Sequence, residues 1–187
     1  MHAVIRAAGG SAAMLATLLA SRTAYSAPPR FELEPKLGYA GTFTTGLSPY
    51  GAFVGLGVRA RPVAHLWLGT SLVSYAGASA AADGPGVSYR AHDRAYDAAF
   101  DATWRFDAER WFIEPGVEVG AAWVLGSTYV TPAQLSDRYV VGNVGPVLRF
   151  AVRVGPLAFG AEAASLVVPS SIAAPILRAG AIALLPF

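Results

Sequence analysis

Along most of the chain, apolar and polar side chains alternate with a period of two, the spacing of an extended strand whose two faces meet different surroundings. Glu32, Glu34 and Lys36 share one parity, while Phe31, Leu33, Pro35, Leu37, Tyr39 and Phe43 share the other. The pattern recurs: Arg59 and Arg61 oppose Ala52, Val54, Leu56 and Val58, and Asp97, Asp101 and Arg105 oppose Tyr96, Phe100, Trp104 and Phe106. Glu114 and Glu118 oppose Trp111, Ile113, Val117, Val119 and Trp123, and Arg149 and Arg153 oppose Val144, Leu148, Phe150, Val152 and Val154. Two later runs carry one charge each, Glu162 and Arg178. Eight strands are predicted, over residues 31–43, 50–61, 65–76, 89–106, 111–125, 140–154, 157–168 and 175–187. The third contains no charge, so its phase stays open.

The connections form a second pattern. After strands two, four and six they are tight: Pro62 to Ala64, Asp107 to Arg110, and Gly155-Pro156. After strands three and five they are long, at 77–88 and 126–139. Short turns at one end and long loops at the other, with an even strand number, predict an all-β, antiparallel up-and-down transmembrane β-barrel of eight strands with both termini in the periplasm. Pro115 and Pro146 fall inside predicted strands, where they mark bulges or misplaced strand ends.

The first 26 residues read as a cleavable signal peptide. His2 and Arg6 give a weakly positive start, Ser11 to Ala20 form a short apolar core, and Ala24-Tyr25-Ser26 offers small residues for cleavage. The barrel domain is then 27–187. Composition agrees: 54% of residues are apolar and 14% charged, against roughly 25% charged in a soluble domain. No run reaches the 18 apolar residues of a spanning helix, and there is no cysteine. The calculated pI of 9.1 overstates the basic character. Of fourteen basic side chains, Arg6 and Arg22 leave with the leader, so twelve face twelve acids. A neutral chain gives no reason to expect nucleic acid as a partner.

The charged parity is the expected lumen face. It holds seven acids (Glu32, Glu34, Asp97, Asp101, Glu114, Glu118, Glu162) and seven bases (Lys36, Arg59, Arg61, Arg105, Arg149, Arg153, Arg178). Such a set can neutralise itself across a narrow interior and plug it. Gly51, Gly55, Gly57, Gly116, Gly120, Gly160 and Gly180 share this parity and leave room for long side chains. Aromatic girdles are expected from Phe31, Phe106, Trp111, Phe159 and Phe187 at the periplasmic rim and from Tyr39, Phe43, Tyr75, Trp123 and Tyr129 at the outer rim.

The last strand, Leu177 to Phe187, ends on an aromatic residue whose face continues through Leu185, Ala183, Ala181, Ala179 and Leu177. Together with the leader and the strand pattern, this resembles the small eight-stranded bacterial outer-membrane barrels, typified by the outer-membrane protein A transmembrane domain and by outer-membrane protein X. The resemblance is architectural and covers residues 31–187; Pro186, beside the last residue, departs from it. It implies an outer-membrane location, Phe187 as the assembly signal read by the barrel-assembly machinery, contact with outer-membrane lipid and lipopolysaccharide, and a monomer. No cofactor is implied.

The expected function is non-enzymatic: envelope integrity, or surface interaction through the loops. One alternative is a lipid A-modifying deacylase or acyltransferase built on His92 with Ser79 or Ser88 and Asp93. Others are a narrow pore and a soluble lipid-carrying barrel. His65 and His92 lie in no metal-binding spacing. The stretch Tyr89 to Arg94 is a polar cluster suited to lipopolysaccharide phosphates.

Overall fold

A computed structural model describes residues 30–42, 48–85, 87–130, 133–168 and 175–187. The predicted leader and Phe43 lie outside them. The elements are β1 (Arg30–Thr42), β2 (Gly51–Val63), β3 (Leu66–Gly84), β4 (Val87–Trp104), the two-residue β5 (Phe106–Asp107), β6 (Trp111–Val130), β7 (Ala133–Val154), β8 (Leu157–Leu166) and β9 (Ile176–Pro186). β5 continues β4 beyond Arg105, so the nine segments make eight staves. Each pairs antiparallel with its neighbour, β4 pairs β6, and β1 pairs β9 from Glu32↔Pro186 to Thr42↔Ile176. The sheet closes on itself and leaves no edge around the barrel.

The side-chain pattern decides which face is which. On β1, Glu32, Glu34 and Lys36 are buried, whereas Leu37 and Tyr39 are 62% and 67% exposed. Val54, Leu72, Val117, Val119, Leu148 and Leu177 likewise point away from the axis. A continuous apolar exterior around a charged interior excludes the soluble barrel. β3, whose phase the sequence leaves open, turns Trp67, Ser71, Val73 and Tyr75 inward.

Pro115 and Pro146 cause neither a bulge nor a strand end. The β4–β6 ladder skips the two rungs at Trp104/Pro115 and Arg105/Glu114 and resumes at Phe106↔Ile113 in the same register. On its other side the Arg105 N–H donates to the His65 carbonyl at 2.7 Å, in line with the β3–β4 ladder. Similarly, the β7–β8 ladder lapses beside Pro146, and Val144↔Val167 restores it in register. Two rungs lapse at each proline, and the register holds on either side. Pro186 is accommodated at the seam: beyond it the Phe187 N–H donates to the Phe31 carbonyl at 3.1 Å, and the two rings stack 5.9 Å apart.

The long connections predicted at 77–88 and 126–139 are instead paired strand. β3 and β4 stay zipped to Gly84↔Val87, and β6 and β7 to Val130↔Ala133. β4 and β6 also pair out to Tyr89↔Val130. A four-stranded sheet therefore stands above the barrel. Its β3 rim runs seven residues past Gly77, roughly 23 Å of chain at 3.3 Å per residue. Gly77, with φ +73°, sits at the one register shift in β3–β4, and a Cβ there would collide with the Asp93 carbonyl oxygen. The bulge reverses the phase of β3 beyond it.

Candidate functional site

The interior is one connected ion-pair network. At its turn end Arg105 forks onto Glu32, at 2.8 and 2.7 Å, and its Nε donates to Glu114. Arg59 donates to Glu114 and to Thr103 Oγ1, each at 2.6 Å, and lies 3.3 Å from Glu34. In the middle Arg149 meets three carboxylates: Asp101 at 2.9 Å, Glu162 at 2.8 Å and Glu34 at 3.5 Å. Lys36 joins Glu34, at 2.8 Å, to Glu162, at 3.3 Å. Toward the loop end Arg178 forks onto Glu118, at 2.9 and 2.5 Å, and donates to Glu162 at 2.8 Å. Asp97 closes the series with a hydrogen bond from Asn143 at 3.3 Å and Arg178 at 4.0 Å.

Alternation puts these side chains on one face, and barrel curvature aims them at one another. Arginine dominates because a planar fork can satisfy two carboxylates at once in a dry interior. Space comes from glycine where the network is widest. A Cβ at Gly69 would lie 3.1 Å from the Arg59 Cγ, and one at Gly120 would lie 3.0 Å from Asp97.

Of the fourteen sequence-predicted lumen charges, twelve are buried together: the seven acids with Lys36, Arg59, Arg105, Arg149 and Arg178. Arg61 and Arg153 are half-buried at the turn-end mouth and outside the network. The expected seven-to-seven balance is therefore seven acids to five bases. Parity fixed the face correctly, but both arginines stand one or two residues from a turn. Arg153 pairs with Asp107 and donates to the Ala108 carbonyl at 2.8 Å. Two residues that sequence reasoning missed also sit at this mouth: Asp107, assigned to a turn, and Arg30, directly opposite Arg61 in the β1–β2 register.

Apolar layers cap the charges at both ends. At the loop end Tyr50, Phe53 and Tyr75 pack with Val124, Leu166 and Ile176. The Tyr50 and Tyr75 rings meet edge to face at 5.1 Å. Tyr75 was expected on the outer rim; at 2% exposure it is part of this cap. At the turn end Trp67 and Phe112 take the Arg105 guanidinium between them, 4.0 and 4.1 Å from the ring centroids. Of the other described girdle residues, Phe31, Phe106, Trp111, Phe159 and Phe187 face outward at one rim and Tyr39 and Trp123 at the other, whereas Tyr129 lies out on the sheet above the barrel, opposite Arg90.

The serine–histidine pair forms on the outer sheet, though not with hydrolase geometry. Ser79 Oγ lies 2.7 Å from His92 Nδ1, while Arg94 Nε donates to His92 Nε2 at 2.6 Å. A guanidinium only donates, so Nε2 is the acceptor and a neutral His92 carries its proton on Nδ1. It then donates to Ser79 and cannot take that hydroxyl's proton. Asp93 is not the orienter; Arg94 occupies that place. His65, the other histidine among the described residues, adopts φ 67° in the β2–β3 turn and holds the Arg105 carbonyl through Nδ1 at 3.1 Å.

No protein-family model and no curated protein sequence matches the chain. Among solved structures it is similar to a major outer membrane protein from Thermus thermophilus, with TM-score 0.61 and 12% identity over 85% of this chain and 99% of that one. Ail, the attachment invasion locus protein of Yersinia pestis, gives 0.53 and 9% over 85% and 97%. The N-terminal β-barrel domain of Pseudomonas aeruginosa OprF gives 0.52 and 15% over 84% and 97%. The chain has the fold of the small outer-membrane β-barrels. Its closed ring of eight staves is apolar outside and charged within.

Proposed function

We propose that this chain is a non-enzymatic outer-membrane barrel whose interior is sealed and whose outer sheet is its working surface. The observation that carries this reading is the lumen: among the described residues, twelve connected and buried charges fill the interior between apolar layers. A pore of this size would need an unfilled interior. The role is then structural, in envelope integrity, or adhesive, through the sheet above the barrel. That sheet carries Arg90, Arg94 and Arg138 against Asp83, Asp93 and Asp137, an even mixture. Outer-membrane lipid and lipopolysaccharide are the proposed neighbours of the exterior, and the barrel-assembly machinery the reader of Phe187. The hydrogen bond that Arg94 donates to His92 Nε2 argues against lipid A hydrolysis.

Planar-bilayer recording tests the seal. The refolded protein is expected to leave the bilayer without discrete conductance steps, and reproducible steps would overturn the plugged reading. Lipid A from cells with and without the protein is expected to give identical mass spectra; a lost or added acyl chain would restore the enzyme.

A further inference from the structure

The turn-end mouth holds a cavity of about 510 Å³, within the size range of small-molecule sites. Its wall carries four arginines, Arg30, Arg61, Arg105 and Arg153, against two carboxylates, Glu32 and Asp107. Two of the arginines are already used. Arg105 is held by Glu32 and Glu114, and Arg153 by Asp107.

Arg30 and Arg61 are different. They are direct cross-strand partners on the inward face, and among the described residues neither has a carboxylate within 4.0 Å. Like charges placed opposite one another on adjacent strands repel. Arg61 does lie near the Trp67 ring, 5.9 Å from its centroid, but a ring face does not cancel a second guanidinium. Trp67 also forms part of the wall, and its indole N–H is buried with no acceptor among the described residues. The rest of the lining is apolar, with Phe112, Leu157 and Leu184 beside it. Two uncommitted guanidinium forks beside an apolar wall describe a receptor for one kind of molecule.

We infer that this vestibule binds an organic oxyanion, a carboxylate or a phosphate monoester on an apolar or aromatic body, with its charged head between Arg30 and Arg61. The bound anion relieves the arginine repulsion, and its body lies against Phe112 and Leu184. The inference adds to the proposed function and depends on it only for placing this mouth in the periplasm, where the ligand would be found.

The experiment uses the full mature chain refolded in detergent, so binding is read independently of membrane orientation. 4-Iodobenzoate and 4-iodophenyl phosphate are titrated by calorimetry and located in crystals by the anomalous scattering of iodine. Neutral 4-iodobenzamide serves as control. One or both anions are expected to bind, with iodine in the cavity, at least about tenfold more tightly than the amide. The tighter of the two names the head group. Arg61→Gln and Arg30→Gln are each expected to weaken binding about tenfold without lowering the urea midpoint, since neither arginine holds an ion pair. Equal affinity for the amide would overturn the site, as would iodine found elsewhere or affinity unchanged in both variants. A midpoint that falls in both variants, with no anion binding to the parent protein, would make these arginines structural.

Discussion

Replacing Arg149 with methionine will destabilise the barrel by about 3–5 kcal/mol, the usual consequence of removing one partner from a buried ion pair. Arg149 is fully buried and is the shared partner of Asp101, Glu162 and Glu34. Methionine fills much of its volume, so the loss comes from the carboxylates left in a dry interior with only Lys36, Arg59 and Arg178 near them. Urea unfolding in phospholipid vesicles measures the change, with gel mobility of boiled and unboiled samples reporting whether the barrel forms at all. The double variant Arg149→Met, Glu34→Gln separates charge from shape. It is expected to recover part of the loss, because one uncompensated carboxylate has gone. A single variant within about 1 kcal/mol of the parent, in the range of exposed pairs, would mean that the network is wet and screened.

Arginine in place of Val119 will cost about 2–4 kcal/mol if the residue meets lipid near the middle of the bilayer. Val119 is 52% exposed and lies between Trp111 and Trp123, the outward tryptophans of β6. In a water-facing strand the same exchange belongs to the surface class and stays within about 0.5 kcal/mol. The two outcomes are well separated, and the same vesicle titration distinguishes them. An effect below about 1 kcal/mol would place this face against water and end the membrane assignment.

Much of the barrel was legible in residue parity, because a charged side chain inside a membrane barrel has only the lumen to enter. Glu32, Glu34 and Lys36 fix one strand, and Asp97 and Asp101 another. β3 was opaque for the same reason: its barrel part, up to residue 76, holds no charge, and Thr70, Ser71 and Ser74 put hydroxyls on both faces. Its register with its neighbours sets the phase, with Gly69 opposite Arg59 of β2 and Asp101 of β4. Parity also carries no information about depth. It could not show that Arg61 and Arg153 stand at the mouth while Arg149 is central, so the sequence count of lumen bases came out two too high. The outer sheet was read as loop because 77–88 is mostly alanine and glycine and 126–139 mostly small and polar, so neither stretch shows the alternation on which strand recognition depends. Tyr75, just before the Gly77 bulge, faces inward although aromatic residues near strand ends suggest a girdle.

The position of Arg178 bears on how the molecule is completed. It lies on β9, the stave that meets β1 at the seam, and reaches across to Glu118 on β6 and to Glu162 on β8. Until β9 is docked, Glu118 has no basic neighbour within 4.0 Å among the described residues and must keep its hydration. Zipping the first strand to the last and expelling water from the interior are thus a single step. An incompletely assembled chain would remain swollen with solvent, open to proteases, until its final residues arrive.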